Sequence, residues 1–128
     1  MNRSALLDNG LRLVGVDDCR AGKPDYRSAF HAVRDGEPVI TLTHNPLAFK
    51  RLCQYSCVTL AGHTHGGQIN LPFLTHALIG NRTKYLKGWF REPNQPGRMY
   101  VSRGLGVIGL PMRFRSYPEI AVFDLLPA

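Results

Sequence analysis

The sequence predicts an α/β fold, on three observations. Two short apolar runs are joined by Asp8-Asn9-Gly10, the pattern of a β-hairpin. Between Pro38 and Ala61 an apolar strand, an amphipathic helix and a second apolar strand succeed one another, a β-α-β unit whose strands become neighbours through a crossover. Both of those strands run into histidine, at His44 and at His63. Two imidazoles delivered by consecutive strands make that end of the sheet the place to look for chemistry.

Each element has its own local reason. Ser4 to Leu7 and Leu11 to Val16 form the antiparallel pair, because Asn-Gly adopts the positive-φ turn that a tight hairpin needs. Arg20 to Pro24 is a polar loop. From Asp25, Tyr26, Ala29, Phe30 and Val33 recur at helical spacing until Gly36 and Pro38 stop the helix, and His31 within it reads as a surface residue. Pro38 to Thr43 is a strand, Asn45 caps a helix from Pro46 to Gln54, and Cys57 to Ala61 is the next strand. Leu47, Phe49, Leu52 and Cys53 are that helix's apolar positions, which cover one sheet face. Gln68 to Leu71 reads as a strand, and Pro72 to Ile79 as an apolar loop or short helix in which His76 is incidental. Lys84 to Phe90 is aromatic-rich and ends in a polar turn region from Arg91 to Gly97. Met99 to Ser102 is a strand, Gly104, Gly106 and Gly109 loosen the backbone ahead of Leu110, and Glu119 to Leu126 is expected as a closing strand.

Charge and cysteine usage narrow the functional classes. Lysine and arginine total 16 against 9 acidic residues, a formal net charge of +7 in 128 residues. Such a balance suits phosphate-bearing partners or an anionic membrane surface. It does not suit specific nucleic-acid binding, because no long basic run and no aromatic platform interleaved with basic residues occurs. Cys19, Cys53 and Cys57 are odd in number and read as buried or free thiols. No apolar stretch is long enough for a spanning helix, no signal peptide opens the chain, and any signal or anchor is expected upstream of Met1.

The chemistry concentrates in Leu60-Ala-Gly-His-Thr-His-Gly-Gly-Gln-Ile69. Residues two apart on a strand point the same way, and flanking glycines let the backbone bend close to whatever His63 and His65 hold. Neutral imidazole is the commonest side-chain metal ligand. A His-x-His pair also occurs in ordinary turns, and a first-row ion takes about four donors. His44 is therefore the residue that raises the pair to a candidate centre.

Thr43-His44-Asn45-Pro46, Gly62-His63-Thr64-His65-Gly66-Gly67-Gln68-Ile69, Tyr100-Val101-Ser102-Arg103-Gly104-Leu105-Gly106, Leu110-Pro111-Met112-Arg113-Phe114 and Pro118-Glu119-Ile120 together resemble the C-terminal half of a calcineurin-like metallophosphoesterase. Within that superfamily the pattern is similar to the bacterial subgroup containing the membrane-associated type of UDP-2,3-diacylglucosamine hydrolase. The resemblance implies half of a four-layer α-β-β-α sandwich, with residues 1–128 as the C-terminal part of the domain. It also implies two divalent metal ions, among Mn, Zn, Fe and Mg, and hydrolysis of a phosphodiester or diphosphate. Carried over residue by residue, it gives His44 and His63 to one metal and His65 to the other, and it makes Arg103 a contact to substrate phosphate. A phosphate ester or nucleotide-diphospho-lipid is the implied substrate.

The same family uses an early Asp-x-His, a Gly-Asp-x-x-Asp and a Gly-Asn-His, none of which precedes His44 here. The bridging aspartate, the asparagine ligand and the histidine assisting the leaving group are thus expected outside these residues, and no catalytic residue is assigned within them. Asp17-Asp18 falls where the family has a non-ligand segment. A complete domain of this kind is expected to be roughly twice as long, in the ~200–250-residue range of single α/β domains. The alternative is a non-catalytic truncated fragment or a weak metal-binding module. Leu71, Phe73, Leu74, Leu105, Ile108 and Leu110 fall in loops and form either an apolar rim for acyl chains or a packing surface, the latter being the default.

Overall fold

The computed structural model describes residues 2–71 and 84–126, so His76, Phe73, Leu74 and the 72–79 segment lie outside the described residues. Its strands are β1 (Arg3–Leu6), β2 (Arg12–Gly15), β3 (Val39–Thr43), β4 (Val58–Ala61), β5 (Gly88–Arg91) and β6 (Arg98–Val101), and its helices α1 (Tyr26–Phe30) and α2 (Phe49–Leu52). The six strands make one mixed sheet in the order β1-β2-β3-β4-β6-β5. Strands β2, β3, β4 and β6 are mutually parallel, and β1 and β5 close the two edges antiparallel.

The hairpin forms as its turn dictates. Gly10 takes φ +81°, Gly10 N donates to Leu7 O at 2.9 Å, and the Asn9 side chain accepts from Leu11 N at 3.1 Å. Helix α1 is shorter than its apolar spacing suggests, but Asp25 caps it by accepting from Ser28 N at 2.9 Å. Asn45 caps the next helix through Leu47 N at 3.0 Å. That helix opens as a 3₁₀ turn, Pro46–Ala48, before becoming α2.

Alternation along the strands gives the sheet one dry face. Val14, Thr41, Thr59, Met99 and Val101 are fully buried there beneath Ala29, Phe49 and Leu52. Tyr85 seals the same core edge-on to Phe49, with ring centroids 5.9 Å apart. The other face carries Leu13, Ile40, Leu42, Val58 and Leu60, of which Leu42 is 45% exposed. Parallel strands are ordinarily covered on both sides. Over β2 to β4 this face is apolar without that cover among the described residues, while Phe123 lies over Tyr100 and Trp89 at its other end.

Two expected strands are corrected. Gln68 to Leu71 contributes one bridge, Ile69 to Phe114, because four of the preceding residues have left-handed or otherwise positive φ and curl the chain. Glu119 to Leu126 forms no strand. The segment is held by side chains instead, with the Phe123 ring 5.1 Å from Tyr100 and 5.8 Å from Trp89, which lays it across the sheet face and not along an edge. The strand β5, in contrast, arises in an aromatic-rich stretch whose alternation puts Phe90 on the core and Trp89 outside. Cys53 and Cys57 are buried free thiols, Cys19 is free and half-buried, and His31 is exposed. Among the described residues no helix is long and apolar enough to cross a membrane.

Candidate metal centre

Register explains why distant motifs meet. Thr43 pairs with Ala61, and Ala61 with Val101, so the three parallel strands end level. Immediately beyond those ends lie His44, Gly62-His63 and Ser102-Arg103. Strand β2 reaches the same edge, since Val16 N donates to Leu42 O at 3.0 Å, and it delivers Asp17 and Asp18. In open α/β sheets ligands bind outside the carboxyl ends of the strands. Four such ends converge here.

His44 Nε2 and His63 Nδ1 face each other at 2.9 Å, with the rings nearly perpendicular and their centroids 4.8 Å apart. Partial burial first, and then the neighbouring His44, hold the His63 imidazole below the usual histidine pKa. Neutral imidazole is the form that coordinates. Asp18 is close enough to be held below the usual carboxylate range by several partners: the amides of Ala21 and Arg20 first, and further down both imidazoles. Sequence reasoning left Asp18 aside; its signal was its place just past a strand end in the same parallel set.

His65 is oriented differently. Its Nδ1 lies 2.8 Å from Gly106 O, and because a carbonyl only accepts, Nδ1 carries the proton and Nε2 keeps its lone pair. Its turn is demanding: His63, His65 and Gln68 all take positive φ, at 69°, 51° and 45°. Residues held in such conformations cost of order 1–3 kcal/mol each, and they cluster at functional sites. Gly66, at φ +62°, admits no side chain, since a Cβ there would lie 2.5 Å from Ser116 Oγ and 2.6 Å from Arg103 Cγ.

Two residues that sequence reasoning missed hold this turn. Ser116, 1% exposed, donates its hydroxyl to His65 O at 2.6 Å. Arg113 donates to His65 O at 3.3 Å, Ser116 O at 3.1 Å, Arg103 O at 2.9 Å and Gly104 O at 3.1 Å, and it also bonds Gly106 O. One guanidinium thus gathers a loop whose ladder contact among the described residues is the Ile69–Phe114 bridge. Neither residue sits in a local pattern that announces such a role.

Arg103 is brought to the edge but is already engaged. Its guanidinium forms a two-point ion pair with Glu119, Nε to Oε2 at 2.5 Å, and its backbone amide reaches the other carboxylate oxygen at 3.1 Å. Burial pushes the Glu119 carboxyl up, and the hydrogen bonds from the Arg103 amide, Tyr100 and the Arg103 guanidinium outweigh it, leaving the group below its usual range.

The residues present fit a divalent ion in part. His44 and His63 offer two converging nitrogens, and His65 keeps one free on an adjoining turn, which is the right chemistry for Mn, Zn or Fe. Among the described residues, however, no group of three or more His, Cys, Asp or Glu side chains is gathered to hold one. A closed site needs further donors.

Several known proteins are similar to this chain in sequence. The chain is 38% identical over 117 residues to an uncharacterized metallophosphoesterase, YkuE, of Bacillus subtilis, covering 90% of this chain and 40% of that protein. It is 36% identical over 133 residues to the UDP-2,3-diacylglucosamine pyrophosphatase LpxG of Chlamydia trachomatis, with 98% of this chain and 40% of the relative covered. It is 37% identical to an uncharacterized metallophosphoesterase of Helicobacter pylori, covering 92% of this chain and 33% of the relative. The chain therefore spans 33–40% of the length of these relatives. No family model matches it, and no solved structure does.

Proposed function

We propose, from the premise that this chain is related along nearly its whole length to metallophosphoesterases, that it supplies the histidine side of a two-metal centre hydrolysing a phosphodiester or diphosphate. The observation that carries this reading is the pair His44 Nε2 and His63 Nδ1 at 2.9 Å, presented at the carboxyl ends of adjacent parallel strands. When bound, two divalent ions supply Lewis acidity to the phosphoryl oxygens. Everything else here is done by the chain's own side chains. His44 and His63 serve one ion and His65 Nε2 the other. The Gly106 carbonyl fixes the His65 tautomer, in the way that a second partner on the far nitrogen orients a ligating histidine.

In this reading the apolar second face of the sheet, with Leu42 45% exposed, packs against another layer of the same domain, from which the carboxylate and asparagine ligands come. Residues 1–128 are then its C-terminal part. Arg103 contributes to substrate binding through the terminal nitrogen that Glu119 does not use. The substrate class is a phosphate ester, and the finer reading is a nucleotide-diphospho-lipid of the kind named for the Chlamydia relative. Exposed Leu105, Ile108 and Leu110 beside His65, with a net charge of +7, suit work at an anionic membrane surface.

The test is cobalt and manganese uptake by the 128-residue chain beside His44→Ala and His63→Ala, with hydrolysis of an activated phosphodiester measured on the same samples. We expect metal uptake to be lost in both variants, turnover being the business of the centre completed by the other layer. Unchanged uptake in His63→Ala overturns the assignment. Uptake that is weak and indifferent to His65→Ala favours the second reading, a weak metal-binding module, which the absence of a third converging donor among the described residues supports.

A further inference from the structure

Beside His63 the surface sinks into a cavity of about 210 Å³, walled by Leu47 and Leu86 and lined by Arg20, Asn45 and Thr64. We propose that this cavity seats one phosphoryl group of the substrate, with Arg20 and the Asn45 amide as its donors. The proposal rests on the phosphoesterase reading for the kind of ligand, but not for the site itself. Pockets for drug-sized ligands run to about 300–1,000 Å³. A smaller cavity takes a phosphate and the first atoms of its ester, with the remainder of the substrate outside.

The loop that carries Arg20 is fixed without using the Arg20 side chain. Asp18 Oδ1 accepts from Arg20 N at 2.6 Å and Ala21 N at 2.7 Å, and Asp17 Oδ2 accepts from Lys23 N at 3.1 Å. Gly22 packs against the same carboxylate, where a Cβ would lie 2.5 Å from Asp17 Cγ. Backbone amides thus answer these two carboxylates. The Arg20 guanidinium makes no hydrogen bond or ion pair among the described residues, whereas Arg12, Lys84 and Arg103 are paired with Glu37, Glu92 and Glu119. A guanidinium left free at a cavity mouth offers phosphate a two-point contact.

Asn45 is the second donor. It is 1% exposed, its Oδ1 is used by the helix cap to Leu47 N, and its Nδ2 has no hydrogen-bond partner among the described residues. Asn45 lines the cavity, so this amide is open to an acceptor seated there. The walls are rigid: Thr64 Oγ1 donates to Leu86 O at 2.6 Å, tying the two sides together.

The probe is inorganic phosphate, titrated into the metal-free 128-residue chain at fixed salt and monitored by amide NMR shifts. We expect saturable shifts at Arg20, Leu47 and Thr64. Arg20→Gln should weaken binding about tenfold or more, the scale of a lost charged hydrogen bond. Asn45→Asp keeps the cap acceptor, replaces the donor with a charge and should weaken it likewise. Arg27→Gln, on the exposed side of α1, should change nothing. Shifts spread over the basic surface, or binding unmoved by Arg20→Gln, overturn the proposal. Phosphate binding requires no metal, so a chain that binds phosphate at Arg20 yet takes up manganese equally well in His63→Ala breaks only the phosphoesterase reading. Manganese uptake lost in His63→Ala, with phosphate binding unmoved by Arg20→Gln, breaks only this one.

Discussion

The two sides of the candidate centre are built by different means. His44 and His63 project from β3 and β4, whose inward residues Thr41 and Thr59 are fully buried and whose ends are level by register. The loop from Arg103 to Ser116 has no ladder of that kind: Leu105, Ile108 and Leu110 are 64%, 73% and 59% exposed, and Arg113 and Ser116 fasten it to the His65 turn. Placement by a sheet is cooperative with folding of the whole domain. Placement by a few side chains, with the Ile69–Phe114 bridge as its ladder contact, can loosen locally.

The largest expected effect breaks both sides at once. Phe49→Ala empties a fully buried position over β3 and β4, and large-to-small changes of that kind cost about 3–5 kcal/mol. The urea midpoint should fall, with all amides losing hydrogen-exchange protection together. Arg113→Met should separate the two sides. Hydrogen bonds to a charged group are worth about 1.5–3 kcal/mol. The loss should appear as faster exchange at Arg103 to Ser116, with Thr41 and Thr59 unchanged; equal loss across the sheet would show that the clamp is part of the core.

Gly66→Ala sharpens the comparison at the joint. The residue sits at φ +62° with Ser116 and Arg103 against it, so alanine should cost about 1–3 kcal/mol. The His65–Gly106 hydrogen bond should weaken, read from the His65 ring nitrogen shifts, while the His44–His63 pair holds. A wild-type His65 shift pattern would place the tightness elsewhere.

The smallest effect is far from the centre. The Arg12 guanidinium holds the Glu37 carboxyl down to about 2. A depressed carboxylate pKa contributes stability that is fully present above the ordinary value near 4.5 and is lost as pH falls toward about 2. Glu37→Gln should flatten that acid limb of the urea midpoint and leave metal uptake at neutral pH untouched.

Legibility in the sequence divides along the same line. The Asn-Gly hairpin, the strands ending in His44 and His63, and the Asn45 cap are local facts, written within a few residues of each other, and they were readable in advance. The strand expected over Glu119 to Leu126 failed for a nonlocal reason. Its apolar residues read as β, but they are spent on ring packing, Phe123 against Tyr100 and Trp89, and not on a backbone ladder. Arg113 was invisible because its five acceptors come from separate stretches of backbone, and Asp18 because its nearness to the imidazoles depends on β2 lying beside β3. By itself the sequence determined the elements and the imidazoles, since periodicity, turn residues and side-chain chemistry act over a few residues. Only the tertiary structure decided that Thr43, Ala61 and Val101 end level, that Glu119 occupies Arg103 and that Arg20 stays free, because register and ion pairing are settled between segments distant in the chain.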